Sequence, residues 1–372
     1  MYFIITSFIL MVFSFISKKK LFYVSFPFVA LFFSMTFGYG YDWINYNDFY
    51  YDSIYTTTLP FEPGLFYLMK LFVSFDFPFK YLVFIIYLFI YYCCYSFCKK
   101  MNNPMIAFYC MFSLLGFYMF SEQFRQGIAL GIILLGLSRT NKEYPWKILP
   151  YIIVASFFHV SALTALLYNL IFIDNERRLK LNVIFITLFI ASLLIVLSSP
   201  GIISFIPYIG DKVSDYSSLL GNNRFSFLLY MLQQKQSYVF LALLIISIII
   251  FKQQKSKKIL WAVLSTYFLL LTKMAQFLVR FGYYFVPFIV MGLDNYFESK
   301  SKKGYLYAYK TIFLLIIFIM STIPFFISSY MKISTSPATI FDSKSEIENK
   351  ISIRCEMVQL TGVGDGVIKR CY

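Results

Sequence analysis

A series of long apolar runs, separated by short polar segments, most constrains what this chain can fold into. Of its 372 residues, 59% are hydrophobic and 14% are charged, whereas soluble domains carry about 25% charged residues. A helix needs about 20 mostly apolar residues to cross a bilayer. The pattern predicts an all-α, polytopic integral membrane helical bundle with about 11–12 membrane segments, one or two of them re-entrant or broken. The runs occupy residues 1–17, 21–39, 80–98, 104–120, 122–138, 148–173, 181–199, 237–251, 259–272, 275–293 and 306–328.

The distribution of lysine and arginine predicts which segments face the cytoplasm. The formal net charge is +15, but these residues lie in short clusters between the apolar runs, as in cytoplasmic loops and not as in nucleic-acid-binding surfaces. With these clusters in the cytoplasm, the amino terminus is expected outside. Residues 1–328 then form the membrane domain, with external loops at about 39–61 and 200–236. An external tail follows at 329–372, for which flexibility is one expectation.

Two apolar segments do not fit this topology as single crossings. The segment 62–76 has only about fifteen residues and is expected to be re-entrant or interfacial. The run 148–173 is expected to leave the cytoplasm and return, folding back near His159, with a single tilted helix as the alternative. Irregular backbone at membrane depth is tolerated only where it is buried in protein or lines a cavity.

The six cysteines have no metal-ligand spacing, and neither a metal nor another cofactor is expected. Cys355 and Cys371 both lie in the predicted external tail, where a disulfide can persist. Their spacing alone does not decide between a disulfide and two free thiols.

A carboxylate, a guanidinium and an amide lie at the start of one apolar run. In a continuous helix, Glu122, Arg125 and Gln126 share one face. Gly127 and Gly131 form a small-residue pair on roughly the opposite face, which lets another helix approach closely. The polar face indicates either a ligand site or a structural ion pair between two helices.

A second polar face and a third arginine are predicted on the same outer side of the membrane. At helical spacing, one face carries Lys273, Gln276, Arg280 and Tyr284. Arg224 lies in the predicted external loop 200–236. Guanidinium groups match phosphate geometry in a two-point fashion, so the cations predict binding of a phosphate or pyrophosphate on a lipid.

Three residues on this side are candidates for a catalytic base. His159 is the only histidine and lies at the predicted fold-back, although a structural role is equally consistent with the sequence. Glu62 precedes Pro63 and either takes part in chemistry or stabilises a helix start. Asp42 lies in an aromatic segment, residues 39–55, that is suited either to stacking on sugars or to a membrane-interface belt.

The order of five short motifs resembles one known family. The motifs are Asp-Trp-x-x-Tyr (42–46), Glu-Pro-Gly (62–64), Arg-Gln-x-Ile-Ala (125–129), Phe-His-x-Ser-Ala (158–162) and Arg-x-x-Tyr-Tyr (280–284). In this order, on a polytopic frame, they resemble the EpsG family, which is similar to the Wzy O-antigen and capsule polymerases. The resemblance covers roughly residues 35–290 and leaves the tail 329–372 outside.

The resemblance implies an inner-membrane glycosyltransferase of bacterial polysaccharide assembly that needs no cofactor. It would move a growing glycan from undecaprenyl pyrophosphate onto a lipid-linked repeat unit on the periplasmic side. Its partners would be these lipid-linked donor and acceptor oligosaccharides, membrane lipids and a chain-length regulator protein, without nucleic acid. The expected pyrophosphate and glycan ligands are Arg125, Arg280, Arg224, Gln126, Glu122, Lys273, Gln276 and Tyr284. His159 is the first choice of base, followed by Glu62 and Asp42.

Two other functions stay open at the level of sequence. A flippase or transporter for a lipid-linked oligosaccharide would also need a cationic cavity, but the two similar halves of many transporters are not evident here. A membrane glycosyltransferase that uses a polyprenyl-phosphate sugar would employ Asp42 or Asp48 as its base.

Overall fold

The computed structural model of the chain describes most of its residues, in two compact units. The described residues are 1–16, 18–57, 59, 61–140, 145–172, 175–198, 201, 227–254, 256–275, 278–298, 304–326, 336–361 and 369–371. One unit comprises residues 1–166 and 317–372, and the other comprises residues 167–316. Arg224, Gln276 and most of the predicted loop 200–236 lie outside the described residues.

The first unit is a helical bundle in which two glycines allow close packing. Helix α5 packs against α2 and α7, and α6 packs against α1. A Cβ at Gly127 would lie 2.9 Å from the side chain of Ile90, and one at Gly131 would lie 3.5 Å from Cβ of Cys93. The predicted close approach of a second helix at this glycine pair is therefore confirmed, and that helix is α5. The helices are α1 (Tyr2–Ile16), α2 (Lys19–Met35), α3 (Asp42–Asp52), α4 (Pro63–Ser74), α5 (Phe79–Cys98), α6 (Pro104–Met119), α7 (Phe124–Arg139) and α8 (Leu149–Ser156).

The second unit is also helical, and its centre is a single apolar helix, α13. This helix packs against α12 and α15 and also contacts α10. The helices are α9 (Tyr168–Ile171), α10 (Glu176–Ser198), α11 (Phe227–Gln233), α12 (Lys235–Gln254), α13 (Ile259–Leu271), α14 (Val279–Gly282), α15 (Val286–Glu298) and α16 (Gly304–Thr322).

The predicted class, an all-α polytopic membrane protein, is confirmed. Among the described residues, four helical stretches are long and apolar enough to cross a membrane, namely Phe79–Cys98, Glu176–Val196, Lys235–Gln254 and Tyr307–Phe326. Shorter apolar helices accompany them. In α10, Leu181 and Leu188 are each 64% exposed and Ile195 is 62% exposed. Such a row of exposed aliphatic side chains suits contact with lipid and not with water.

Both irregular segments expected from the topology are present. Helix α4 has 12 residues and therefore extends about 18 Å, well short of the roughly 30 Å hydrocarbon core. The run 148–173 is not one helix. Helix α8 ends at Ser156, a turn follows at Phe157 and Phe158, and a 3₁₀ helix begins at Val160. The helix is therefore interrupted near His159, as predicted, and the return of this segment to the cytoplasmic side remains a prediction.

Two predicted helical faces are wrong. Helix α7 begins at Phe124, and Glu122 lies in the preceding turn, so Glu122 does not share a helical face with Arg125. Lys273 lies in a short 3₁₀ helix (Thr272–Met274), after which Ala275 is extended and α14 begins only at Val279. The residues from Lys273 to Tyr284 therefore form no continuous helix.

The described part of the tail is folded onto the first unit. Strand β2 (Ala338–Thr339) pairs antiparallel with β1 (Thr36–Phe37), which directly follows α2. Helix α17 (Lys344–Thr361) follows β2. Cys355 and Cys371 form a disulfide with a Cα–Cα distance of 4.8 Å. Of the two alternatives left open by the sequence, the disulfide is the one formed.

Candidate functional site

Arg125 is the centre of a polar cluster in the first unit. Its Nη1 lies 2.6 Å from Oε2 of Glu62, and its Nε donates to the hydroxyl of Tyr46 at 2.6 Å. The guanidinium also lies over the rings of Tyr46 and Phe61, with distances of 5.5 and 5.3 Å to the ring centroids. We call Tyr46, Phe61, Glu62 and Arg125 the Arg125 cluster. An arginine has five N–H donors, so these two bonds leave others, and the side chain keeps 22% of its surface exposed.

Glu62 is held at the break before His159. It immediately precedes Pro63, the first residue of α4, but its side chain makes no capping hydrogen bond. Instead, Oε1 of Glu62 accepts from the backbone N–H of Val160 at 3.4 Å. The N–H of Gly64 donates to the carbonyl of Phe157 at 2.7 Å, and a Cβ at Gly64 would lie only 2.7 Å from that oxygen. The Glu-Pro-Gly motif therefore needs glycine in order to pack against the break.

His159 is buried, and its contacts determine which ring nitrogen carries the proton. Nδ1 of His159 accepts from the backbone N–H of Ser161 at 3.2 Å, and the Ser161 hydroxyl lies 2.5 Å from the same nitrogen. Because a backbone N–H can only donate, Nδ1 is an acceptor and the neutral ring carries its proton on Nε2. The ring thus presents a donor at Nε2, which favours a hydrogen-bonding role over the role of base expected from the sequence.

Two acidic residues from other segments, Glu62 and Asp42, act on Arg125. Asp42 begins α3, is half-buried, and acts on Arg125 through its negative charge. Glu122 is buried beside Gly40, where an added Cβ would lie 1.9 Å from Oε1 of Glu122. Gln126 is also buried. The ion pair considered from the sequence exists, but Glu62 is the partner.

An apolar groove begins next to these polar residues. It has a volume of about 560 Å³ and lies between α4, α5, α7 and α8. On α7, its lining residues Ile128, Ile132 and Leu135 follow Arg125 at helical spacing, so they continue the same face of the helix. Phe158, the neighbour of His159, lines it from the other side. The lining residues are Leu68, Ile85, Ile86, Phe89, Ile128, Ile132, Leu135, Pro150, Tyr151, Val154 and Phe158.

The remaining predicted site residues belong to the second unit. Lys273 is buried, its Nζ donates to Oε1 of Gln236, and it lies 5.3 Å from the ring centroid of Phe240. Tyr284 is fully buried, and its carbonyl accepts from the Tyr168 hydroxyl. Arg280 is half-buried in α14. The roles predicted for these residues remain predictions, as do those of Arg224 and Gln276 outside the described residues.

Sequence reasoning missed some of the contacts that define the cluster. Tyr46 appeared only as a motif position, although its spacing of four residues from Asp42 places both on one face of α3. Phe61 and the backbone N–H of Val160 carry no signal of their own in the sequence. Their roles follow from the approach of separate segments.

Comparison with models of known families gives one match that covers most of the chain. The model of the EpsG family matches residues 19–335. This span contains the whole Arg125 cluster, the break at His159 and the groove, and it ends before β2 and α17. No curated protein and no solved structure matches the chain.

Proposed function

Since the chain belongs to the EpsG family, whose members are Wzy-like polymerases, we propose that it polymerises a surface polysaccharide in the bacterial inner membrane. One observation carries the proposal. Four residues from segments that are distant in sequence meet at one largely buried ion pair, namely Tyr46, Glu62, Arg125 and Val160. Ionisable groups within a membrane protein are costly and mark functional sites by default.

The proposed reaction transfers a growing glycan from undecaprenyl pyrophosphate to a lipid-linked repeat unit. A hydroxyl of the acceptor sugar attacks the anomeric carbon of the donor, the bond from that carbon to the pyrophosphate oxygen breaks, and the pyrophosphate leaves with the electron pair. The remaining N–H donors of Arg125 would stabilise the charge on this leaving group. The Nε2–H of His159 suits a second donor for it.

Asp42 is the proposed base that accepts the proton of the attacking hydroxyl. Both oxygens of Glu62 already accept hydrogen bonds, from Arg125 and from the N–H of Val160. Asp48, the other acid considered on α3, forms a salt bridge with Arg370. Asp42 is half-buried and lies within electrostatic reach of Arg125, so it combines access with proximity to the developing charge.

The apolar groove supports a lipid-linked substrate. Its face on α7 starts one turn after Arg125 and continues through Ile128, Ile132 and Leu135. An amphiphile could thus place an anionic headgroup at Arg125 and its hydrocarbon chain along the groove. In a bilayer the surrounding lipid tails are as apolar as the groove, so the groove would favour a polyprenyl chain through van der Waals packing and alignment and not through transfer from water.

The tail supports an active site on the periplasmic side. A disulfide persists in an oxidising compartment and is rare in the cytoplasm, and the tail contains one between Cys355 and Cys371. The same tail pairs through β2 with β1, shortly before the helix that carries Asp42 and Tyr46. The proposed partners are the donor and acceptor lipid-linked oligosaccharides and membrane lipids, together with a chain-length regulator suggested by the resemblance.

The test is restoration of polymer in a strain that lacks the gene. Wild-type protein should give a ladder of glycan lengths on a gel, and Arg125→Ala, with its expression raised until the two proteins are equally abundant, should leave a single repeat unit. Purified protein in vesicles should release undecaprenyl pyrophosphate as the glycan lengthens. Movement of lipid-linked oligosaccharide across the vesicle membrane without release of pyrophosphate would identify a flippase and contradict the proposal.

A further inference from the structure

The tail contacts the segment that leads into the Arg125 cluster, although it lies beyond the span matched by the family. Strand β2 pairs with β1, and the N–H of Ile340 donates to the carbonyl of Met35 at 3.0 Å. Lys80 Nζ at the start of α5 donates to the carbonyl of Asp342 at 2.7 Å. These contacts fix the tail against residues 35–37 and the amino end of α5.

Arg354 of α17 makes the most deeply buried of these contacts. Its Nη2 donates to the carbonyls of Gly38 at 2.6 Å and Ser336 at 3.0 Å, and the side chain is only 3% exposed. Its guanidinium lies 5.4 Å from the ring centroid of Trp43. Burial lowers the pKa of Arg354 to about 10. A buried cation is costly unless its surroundings are arranged to accept it.

The residues that receive Arg354 are arranged around it. Gly38 has a φ of +69°, and an added Cβ there would lie 2.8 Å from the ring of Trp43. Only glycine therefore allows the chain to turn here with the indole against it. One face of Trp43 meets the guanidinium in a cation–π contact. Trp43 directly follows Asp42, and Tyr46, which binds Arg125, lies one turn further along α3.

The disulfide places a second arginine against the same helix. Arg370 is the neighbour of Cys371, and its Nη1 lies 2.5 Å from Oδ1 of Asp48 on α3, while its Nη2 bonds to Glu348 on α17. The Cys355–Cys371 bond joins this short segment to α17. Helix α3 is thus contacted by the tail at Trp43 and at Asp48, on either side of Tyr46 in the sequence.

We infer that Arg354 is a positioning residue for the Arg125 cluster, and that the disulfide-bonded tail of this chain sets the position of α3. Arg354 acts through Gly38 and Trp43 on Asp42 and Tyr46. The effect on polymer formation rests on the proposed function, whereas the contact with α3 does not.

Hydrogen exchange of the full-length protein tests the contact independently of activity. In Arg354→Gln, amides of residues 36–46 should exchange at least about tenfold faster than in the wild type, while amides in the middle of α5 should not change. Arg354→Lys keeps the charge and the apolar stem but loses the guanidinium fork, and it should show the same change with α17 intact. Ser352→Gln, at an exposed position of α17, is the matched control and should leave exchange unchanged.

The disulfide gives a second comparison in the same experiment. The double variant Cys355→Ser, Cys371→Ser should show faster amide exchange near Asp48 than the wild type. A reductant should also speed this exchange in the wild type, but it should cause no further change in the double variant. Unchanged exchange of residues 36–46 in a folded Arg354→Lys protein would overturn the inference, whatever happens to the glycan. Faster exchange with a normal glycan ladder would support the contact but overturn the positioning role of Arg354, whereas Arg125→Ala tests the reaction site separately.

Discussion

At the scale of single residues, substitutions in the Arg125–Glu62 pair can distinguish a role of Arg125 in folding from a role in substrate binding. Removing one partner of a buried ion pair destabilises a protein by about 3–5 kcal/mol, and we expect the lower end because Arg125 remains 22% exposed. Arg125→Ala should therefore reduce abundance and abolish polymer. Adding Glu62→Gln removes the uncompensated charge and should restore abundance, measured by immunoblot, without restoring the glycan ladder.

Glu122 provides the matched control for this pair. It is also buried, but Glu62 holds the ion-pair position on Arg125. Glu122→Gln added to Arg125→Ala should therefore leave abundance low. A normal ladder from the Arg125→Ala, Glu62→Gln protein would assign the pair to the fold alone.

Asp42 and Asp48 lie on the same helix, and we expect Asp42 to be the catalytic base and Asp48 to have only a structural role. Loss of a general base typically lowers the rate about 10²–10⁴-fold. We expect Asp42→Asn to reduce pyrophosphate release in vesicles by this amount with unchanged abundance. Asp48→Asn removes only the partially exposed salt bridge with Arg370, so its release rate should stay within about tenfold of wild type.

The predicted role of His159 is that of a hydrogen-bond donor and not of the base. With Nε2 as a donor, His159→Gln retains an amide N–H near that position and should keep more activity than His159→Ala. Equal and complete loss in both variants, with Asp42→Asn fully active, would return the role of base to His159.

At the scale of elements, hydropathy and charge predicted the irregular segments but not the pairing between them. Helix α4 was expected to be too short to cross, and the break near His159 followed from the need to keep basic clusters in the cytoplasm. The partner of Arg125 was not predictable, because Glu122 is three residues away and Glu62 is 63 residues away. The assumption of one helix through Glu122 failed where α7 begins at Phe124.

In the second unit, local bonds and close packing explain why the predicted helix from Lys273 to Tyr284 is not continuous. The Thr272 hydroxyl bonds back to the carbonyl of Leu269, a local bond that competes with helix continuation. Gly282 approaches so closely that an added Cβ would lie 2.6 Å from Oγ1 of Thr272. A close approach of this kind depends on tertiary packing, which a periodicity of apolar residues does not encode.

The groove yields a prediction that uses two neighbouring residues of α8. Val154 lines the groove and is 49% exposed, whereas Ile153 is 50% exposed and does not line it. Val154→Trp should obstruct the lipid chain. The chain would lose its van der Waals packing in the groove and return to the bilayer, so KM for the lipid-linked donor should rise severalfold. Ile153→Trp should leave KM unchanged. Equal KM values for both variants would mean that the groove holds no substrate chain.

At the scale of the whole molecule, α5 predicts on which side of the membrane the tail lies. Its 20 residues extend about 30 Å, the thickness of the hydrocarbon core. Lys80 at its amino end bonds to the tail at Asp342, and Lys99 and Lys100 follow its carboxyl end. Because basic clusters mark the cytoplasmic side, the tail and Lys100 should lie on opposite sides of the membrane.

Introduced single cysteines can test this arrangement, because the native cysteines of the described residues are either buried or in the disulfide. The free cysteines in the described residues, Cys93, Cys94, Cys98 and Cys110, are buried, and the other two form the disulfide. Phe341→Cys lies in the tail at a residue that is 76% exposed, and Lys100→Cys lies at the other end of α5. In cells with a permeabilised outer membrane, an impermeant maleimide should label Phe341→Cys at once.

Lys100→Cys should react only after the inner membrane is opened. The reverse pattern would place the disulfide in the cytoplasm, where such bonds are rare, and would remove the argument for a periplasmic reaction site.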